Sequence, residues 1–105
     1  MPEITTRSDH GAARLVVVTG EVIDPPHASR LYDALCQQVH DQAETVQVDL
    51  AGVELFGAQA VNALLQAYQD AKCLGCALSV VAASPLVRRM LEIAQVIDLF
   101  GLDEG

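Results

Sequence analysis

Tryptophan is absent from this 105-residue sequence, and only 4% of its residues are aromatic, so its core must be built from aliphatic side chains and alanine. Basic residues are also scarce: 6 Lys and Arg stand against 14 Asp and Glu, which gives a formal net charge of −8. A phosphate backbone or an anionic lipid surface needs a basic patch, and a sequence whose single lysine is Lys72 does not supply one. The composition therefore argues against nucleic acid and lipid as partners and leaves a basic protein open.

Long apolar runs are missing as well. No run approaches the roughly 20 residues of a membrane-spanning helix, and the N-terminus lacks the basic start and apolar block of a secretory signal. Three cysteines are an odd number, and a chain of this length folds without disulfide bridges. We therefore expect a cytoplasmic protein without membrane insertion, folded as a single domain over residues 1–105.

Four segments have the composition of strands. The β-branched run Val16-Val17-Val18 marks one of them, and strict alternation of apolar and polar residues marks another. The pattern predicts strands at residues 3–6, 14–19, 45–50 and 77–82, with a polar turn at residues 8–11.

Three further segments have the spacing of amphipathic helices, since their apolar residues recur every three or four positions. Two of them open on a capping side chain followed by proline, the order expected at a helix start. The remaining helix, around residues 61–71, is expected to end at Gly75. The helices are predicted around apolar residues 28–39, 61–71 and 87–94, with caps at Asp24 and Ser84, and residues 96–102 predict a short closing helix or strand.

The order of these elements predicts the fold class. After two initial strands, helices and strands alternate, which implies right-handed crossovers and a mostly parallel sheet. We predict a single compact α/β domain with a mostly parallel sheet of four to five strands and three to four helices. Such a small domain has little room for a deep pocket.

Few residues stand in a catalytic or metal-binding pattern. The glycines form no phosphate-binding loop, and no serine or cysteine follows a nucleophile-elbow pattern. Cys73 and Cys76 have the Cys-x-x-Cys spacing of a redox pair or half a zinc site. They lie at the end of a predicted helix, where the helix dipole disfavours a thiolate, so ordinary buried or half-buried thiols are expected. We predict no enzyme activity, no metal site and no cofactor.

Five stretches of the sequence resemble the STAS domain, the fold of anti-sigma factor antagonists and of sulfate transporter tails. The first is similar to the family's strand that ends in Gly-Glu-Leu-Asp, and the last is similar to the start of its third helix. The resemblance covers residues 14–102 and depends on the order and spacing of the stretches. They are Val17-Val18-Thr19-Gly20-Glu21-Val22-Ile23-Asp24, the helix at 28–39, the strand at 46–50, Val53-Glu54-Leu55-Phe56, and Ser84-Pro85-Leu86-Val87-Arg88-Arg89-Met90-Leu91.

The phosphorylation motif of this family is degenerate in the sequence. In the family, Asp-Ser-Ser-Gly-Leu opens the second helix, and an anti-sigma factor kinase phosphorylates its second serine. The corresponding residues here are Gly57, Ala58, Gln59, Ala60 and Val61, so Gln59 holds the phosphoacceptor position. An amide does not accept a phosphoryl group, and neither neighbour has a hydroxyl. The resemblance therefore implies a binding surface without serine phosphorylation control.

The resemblance implies an anti-sigma factor antagonist-like protein-binding module in bacterial signalling and transcription regulation. Its partner would be an anti-sigma factor kinase or a related regulatory protein, and its oligomeric state is left open. The alternative is a STAS accessory or scaffold subunit of a transporter complex or sensory assembly, and a small enzyme or metal binder is the weakest hypothesis. The predicted partner-binding residues are Glu21, Asp24, Gly57, Ala58, Gln59, Ala60, Asn62 and Gln66.

Overall fold

The computed structural model describes residues 3–9, 13–41 and 44–100. The four strands form one sheet in the order β1-β2-β3-β4, in which β1 is antiparallel to β2 and the other neighbours are parallel. This confirms the predicted α/β fold with a mostly parallel sheet. The elements are β1 (Glu3–Asp9), β2 (Ala13–Val22), α1 (Pro25–His40), β3 (Thr45–Phe56), α2 (Ala58–Cys73), β4 (Ala77–Ala83), α3 (Pro85–Ile93) and a 3₁₀ helix (Ile97–Phe100).

One face of the sheet carries the core. The buried side chains of the three parallel strands lie on the same face, since Val16, Val48 and Val80 are register partners across β2, β3 and β4. Buried side chains from all three helices belong to this same cluster. The core is aliphatic and alanine-rich, as the composition predicts, and its only fully packed aromatic rings are Phe56 and Phe100 among the described residues.

β2 and β3 extend beyond their predicted ends. The sequence pattern ends the second strand at Gly20, but the strand continues through this residue, which has a φ of +92°, and its register with β3 shifts nearby. β3, which was predicted to end at residue 50, continues to Phe56. The irregularity is crowded, because a Cβ added to Gly52 would lie 2.7 Å from Thr19 Cγ2. Glycines at positions 20 and 52 therefore accommodate a bulge, and Gly20 does not end β2.

The two ends of the described chain also differ from their predicted limits. β1 runs to Asp9, which pairs with Ala13 of β2, so half of the predicted polar turn is strand, and residues 10–11 lie outside the described part. The closing element is the 3₁₀ helix, whose Phe100 ring packs edge-on against Tyr68 of α2 at 5.3 Å between centroids. Residues 101–102 of the predicted tail lie outside the described residues.

The starts of α1 and α3 confirm the predicted caps. The Asp24 carboxylate accepts a hydrogen bond from the His27 backbone N–H at 3.1 Å, and the Ser84 hydroxyl accepts one from the Val87 N–H at 3.3 Å. Proline follows each cap. α2 differs because its cap residue is Gly57, which has no side chain to accept such a bond.

The helices α2 and α3 both end in a turn that requires a left-handed residue. After α2 this residue is Gly75, with a φ of +76°. After α3 it is Gln95, with a φ of +62°, and the following Val96 N–H donates to the Leu91 carbonyl oxygen at 3.0 Å. A residue with a side chain is less stable in this conformation by roughly 1–2 kcal/mol. The turn after α3 is therefore less stable than it would be with glycine at position 95.

Replacing Gln95 with glycine should raise the free energy of unfolding by about 0.5–1 kcal/mol, because the strain disappears and is only partly offset by the greater freedom of glycine in the unfolded chain. Urea denaturation measures the change. Gln95→Ala is the control, since it removes the exposed amide and keeps the strain, and its stability should stay close to wild type. Equal stability of the glycine and alanine variants would contradict this explanation.

Candidate functional site

The carboxyl ends of β2 and β3 lie side by side, and α1 and α2 begin at this edge of the sheet. Val22 and Phe56 are register partners there. The Gly57 N–H donates to the Val22 carbonyl oxygen at 2.9 Å, which joins the turn after β2 to the start of α2. We refer to these two segments, residues 21–24 and 57–59, as the α2 corner.

Gly57 permits close contact between the two segments. Its φ of −89° and ψ of 179° are extended, a conformation that any residue adopts, so the backbone alone does not require glycine. A Cβ at this position would lie 3.3 Å from the carbonyl oxygen of Ile23 and 3.5 Å from its Cα. A larger residue would therefore displace the turn by a few tenths of an ångström.

The structure brings four of the predicted partner-binding residues to one exposed stripe of α2. Ala58 and Gln59 are exposed in the first turn of the helix, and Asn62 and Gln66 follow on its exposed side. Residues three or four apart are neighbours on a helix surface, so these side chains form a continuous strip. The strip begins at the α2 corner and runs along the helix.

Three other predicted residues have different surroundings. Ala60 is fully buried in the core, so it contributes no side chain to the surface, which corrects the prediction for this residue. Asp24 is exposed, but its carboxylate caps α1 and lies 3.3 Å from the His27 Nδ1 atom. Glu21 is half-buried and pairs in register with Leu55. The Asp24 carboxylate therefore stabilises the start of α1 independently of any partner.

A groove of about 370 Å³ separates α1 from α2. Ser29 and Tyr32 line its α1 wall, while Gln59, Asn62 and Gln66 line its α2 wall. Small alanine side chains at its base keep the two helices close. The groove is shallow and open, as expected for a domain without space for a deep pocket.

A second groove, of about 190 Å³, separates α2 from α3. None of its lining residues is charged, and Asn62 borders both grooves. The N-terminal half of α2 is thus a ridge with a groove on each side. The residues that line the second groove are Ala58, Val61, Asn62, Met90, Ile93 and Ala94.

A hydrogen-bonded cluster joins α1 to α2 beside the first groove. The Tyr32 hydroxyl donates a short hydrogen bond to Asp70 Oδ2, Cys36 Sγ donates to the same oxygen at 3.6 Å, and Gln66 Nε2 donates to Oδ1 at 3.3 Å. The bond from Tyr32 holds the pKa of Asp70 below its usual range and raises the pKa of the tyrosine hydroxyl. Burial raises the pKa of the Cys36 thiol, so it is a poor nucleophile. The cluster is a structural link between the two helices.

Sequence reasoning missed this cluster for a physical reason. Tyr32 and Asp70 are 38 positions apart, and no local spacing connects them. The helical pattern placed Tyr32 on the inner face of the first helix, but the pairing depends on how α1 packs against α2. A polar atom on an otherwise apolar helix face is the one available signal, because such a group needs a hydrogen-bond partner.

The remaining candidate groups do not assemble into a chemical site. Cys36, Cys73 and Cys76 are free thiols, with Cys73 exposed and Cys76 buried. Within the residues that the structure describes, no three His, Cys, Asp or Glu side chains lie close enough together to hold a metal ion. No helix in this part of the chain is long and apolar enough to span a membrane.

Acid should weaken the link between α1 and α2. Because the pKa of Asp70 is lower in the folded protein than in the unfolded chain, its contribution to stability is complete above the unfolded value of about 4 and is lost as the pH falls through the folded value. Asp70→Asn should therefore lower the thermal midpoint at neutral pH, and this loss should shrink at an acid pH below the unfolded value of about 4. Thermal denaturation of both proteins at the two pH values measures this, and an equal loss at both would contradict it.

The comparisons with known proteins agree with the architecture. A family model described as Mlab, STAS domain, matches residues 5–102. An anti-sigma factor antagonist from Mycobacterium paratuberculosis has a similar crystal structure, with a TM-score of 0.84 and 27% sequence identity over 100% of this chain and 87% of that one. No curated protein matches the sequence significantly.

Two structures of the anti-sigma factor antagonist SpoIIAA share the fold at low identity. The unphosphorylated form has a TM-score of 0.76 and 12% identity over 90% of this chain and 82% of that one. The phosphorylated form of the Bacillus cell fate determinant SpoIIAA has a TM-score of 0.73 and 10% identity over 92% and 87% of the two chains. With a family model that matches nearly the whole sequence, and with this order of strands and helices, the chain belongs to the STAS domain family.

Proposed function

We propose that this STAS domain is an anti-sigma factor antagonist-type binding module that engages an anti-sigma factor kinase or a related regulatory protein. The contact between Gly57 and Val22 carries the proposal, because it joins two predicted binding segments into one surface. Gln59 and Asn62 extend this surface along α2. The similarity to the mycobacterial anti-sigma factor antagonist, at 27% identity over the whole chain, supports the same role.

The chemistry of the surface favours binding over catalysis. Its exposed α2 strip consists of the methyl group of Ala58 and the amides of Gln59, Asn62 and Gln66. Amides donate and accept hydrogen bonds but supply no nucleophile, acid or base at neutral pH. We therefore propose a non-enzymatic module that acts by binding its partner. We place this interaction in the cytoplasm, where sigma factors act.

Serine phosphorylation does not control this surface in our proposal. The N-terminus of a helix tolerates a phosphate well, because its N–H groups and dipole favour an anion. The added charge, about −2, would then disrupt a closely packed interface. Gln59 is exposed at the family's phosphoacceptor position but has no hydroxyl, and Ala58 and Ala60 have none either. The surface is therefore competent to bind at all times.

A second candidate function is that of an accessory or scaffold subunit in a transporter complex or sensory assembly. The missing hydroxyl favours it, because a permanent subunit needs no phosphate-driven release. Affinity capture from the native cells discriminates between the two roles. Transporter or receptor subunits in the captured complex would support the scaffold, and sigma regulators would support the antagonist.

Gln59→Asp should weaken the complex with the anti-sigma factor at least tenfold, because it buries a carboxylate without a partner in the interface; tenfold corresponds to about 1.4 kcal/mol. The fold should be unaffected, since a carboxylate in the first turn of a helix is favourable. Isothermal titration calorimetry measures the dissociation constant.

Gln69→Asp is the matched control for this variant. It makes the same chemical change at an exposed position on the same helix, about 15 Å further along its axis. Its affinity should stay within about twofold of wild type, since Gln69 lines neither groove. Unchanged binding by Gln59→Asp, or an equal loss in both variants, would show that the start of α2 is not the interface.

Incubation with an anti-sigma factor kinase and ATP tests the missing control. The wild-type protein should keep its intact mass, whereas Gln59→Ser should gain one phosphoryl group, because the hydroxyl returns to the position that the kinase addresses in this family. Mass spectrometry of the whole protein distinguishes these results. A phosphorylated wild-type chain would contradict the proposal, whichever residue carries the group.

A further inference from the structure

Ile93 is the most exposed large hydrophobic residue in the part of the chain that the structure describes, with 66% of its surface accessible. It is the last residue of α3 and lies on the wall of the groove between α2 and α3. Met90 and Ala94 continue the same wall. An apolar side chain therefore stands beside an apolar groove, both of them in contact with water.

The groove is continuous with the proposed binding surface. Ala58 belongs to the α2 corner, Asn62 belongs to the exposed strip of α2, and both line the groove. A regulatory protein seated on the strip would therefore also cover the groove. This continuity distinguishes Ile93 from Leu74, which is 56% exposed but lies at the opposite end of α2.

The size and lining of the groove limit what occupies it. Its volume of about 190 Å³ is below the roughly 300–1,000 Å³ of small-molecule pockets, so it suits one inserted side chain. None of the lining residues carries a charge, so a charged group placed there would be buried without a partner. The occupant is therefore an aliphatic or methionine side chain.

The net charge of the chain indicates which molecule supplies the side chain that is inserted into the groove. Two copies of a protein with a net charge of −8 repel each other, which disfavours a second copy of this chain as the occupant. A regulatory protein with a basic surface meets no such repulsion and is attracted at long range. Arg89 and Glu92 are exposed on the same helix as Ile93, so α3 also offers charged groups of both signs, as the polar part of a protein interface does.

We propose that the groove between α2 and α3 receives an apolar anchor side chain from the regulatory protein that binds the α2 corner, with Ile93 as its main contact. This inference rests on the proposed function and adds α3 to the interface. It also accounts for the exposure of Ile93, because the side chain leaves water when the complex forms.

The test compares Ile93→Ser with Leu74→Ser in titrations of the purified anti-sigma factor kinase that the wild-type chain binds. Ile93→Ser should weaken the complex by about 10- to 100-fold, because the apolar contact is lost. Leu74→Ser makes the same kind of change at a similarly exposed site, about 18 Å beyond Asn62 along α2, and should stay within about twofold of wild type. Ile93→Met keeps an apolar side chain and should retain most of the affinity.

The binding experiment needs a control for folding, and its outcomes separate the groove from the α2 corner. Thermal denaturation should give the same midpoint for the serine variants and wild type, so that a change in affinity is not a change in folding. If Ile93→Ser binds like wild type while Gln59→Asp loses affinity, the groove is not part of the interface and the proposed function stands. Equal losses in both serine variants would also overturn the inference, because the effect would not be specific to the groove. If the wild-type chain binds no anti-sigma factor, the proposed function fails and the inference fails with it.

Discussion

The hydrogen bond from the Gly57 N–H to the Val22 carbonyl oxygen holds together two segments that are 35 positions apart in the chain. It forms because β2 and β3 are parallel and end at the same edge of the sheet. It is accompanied by the close approach of Gly57 to Ile23, which a side chain at Gly57 would push apart. The shape of the α2 corner is therefore set by backbone contacts, so the proposed partner would meet a preformed surface.

The helix that starts at this corner differs at its first turn from the phosphorylated site that the family resemblance implies. Its first turn has a glycine cap and exposed Ala58 and Gln59, with no acidic residue and no hydroxyl. Grooves on both sides give a partner two places to insert side chains beside the ridge. The link between Tyr32 and Asp70 fixes the spacing of α1 and α2, and so the width of the first groove. In the proposed function this surface binds steadily, because neither Gln59 nor its neighbours Ala58 and Ala60 has a hydroxyl to phosphorylate.

Much of the fold was predictable because its signals are local. The caps at Asp24 and Ser84 and the stop at Gly75 each depend on a few neighbouring residues, and the structure confirms them. The predicted end of β2 at Gly20 was wrong because a glycine in a bulge has the same sequence signature as a glycine that ends a strand. The prediction for Ala60 was wrong because four consecutive residues of a family motif, 57–60, were carried over together, although a helix turns some of them inward.

The grooves and the Tyr32–Asp70 link escaped prediction because they exist only where helices pack against one another, a relation that periodicity within one helix does not contain. Binding at the α2 corner is the claim on which the functional account depends. Backbone amide chemical shifts, recorded while the anti-sigma factor is added to isotope-labelled protein, test it most directly. The largest changes are expected at residues 21–24 and 57–66, with little change on the sheet face away from the helices, at Thr5, Gln47 and Ser79. Large changes at those three strand residues with an unaltered α2 corner would contradict it.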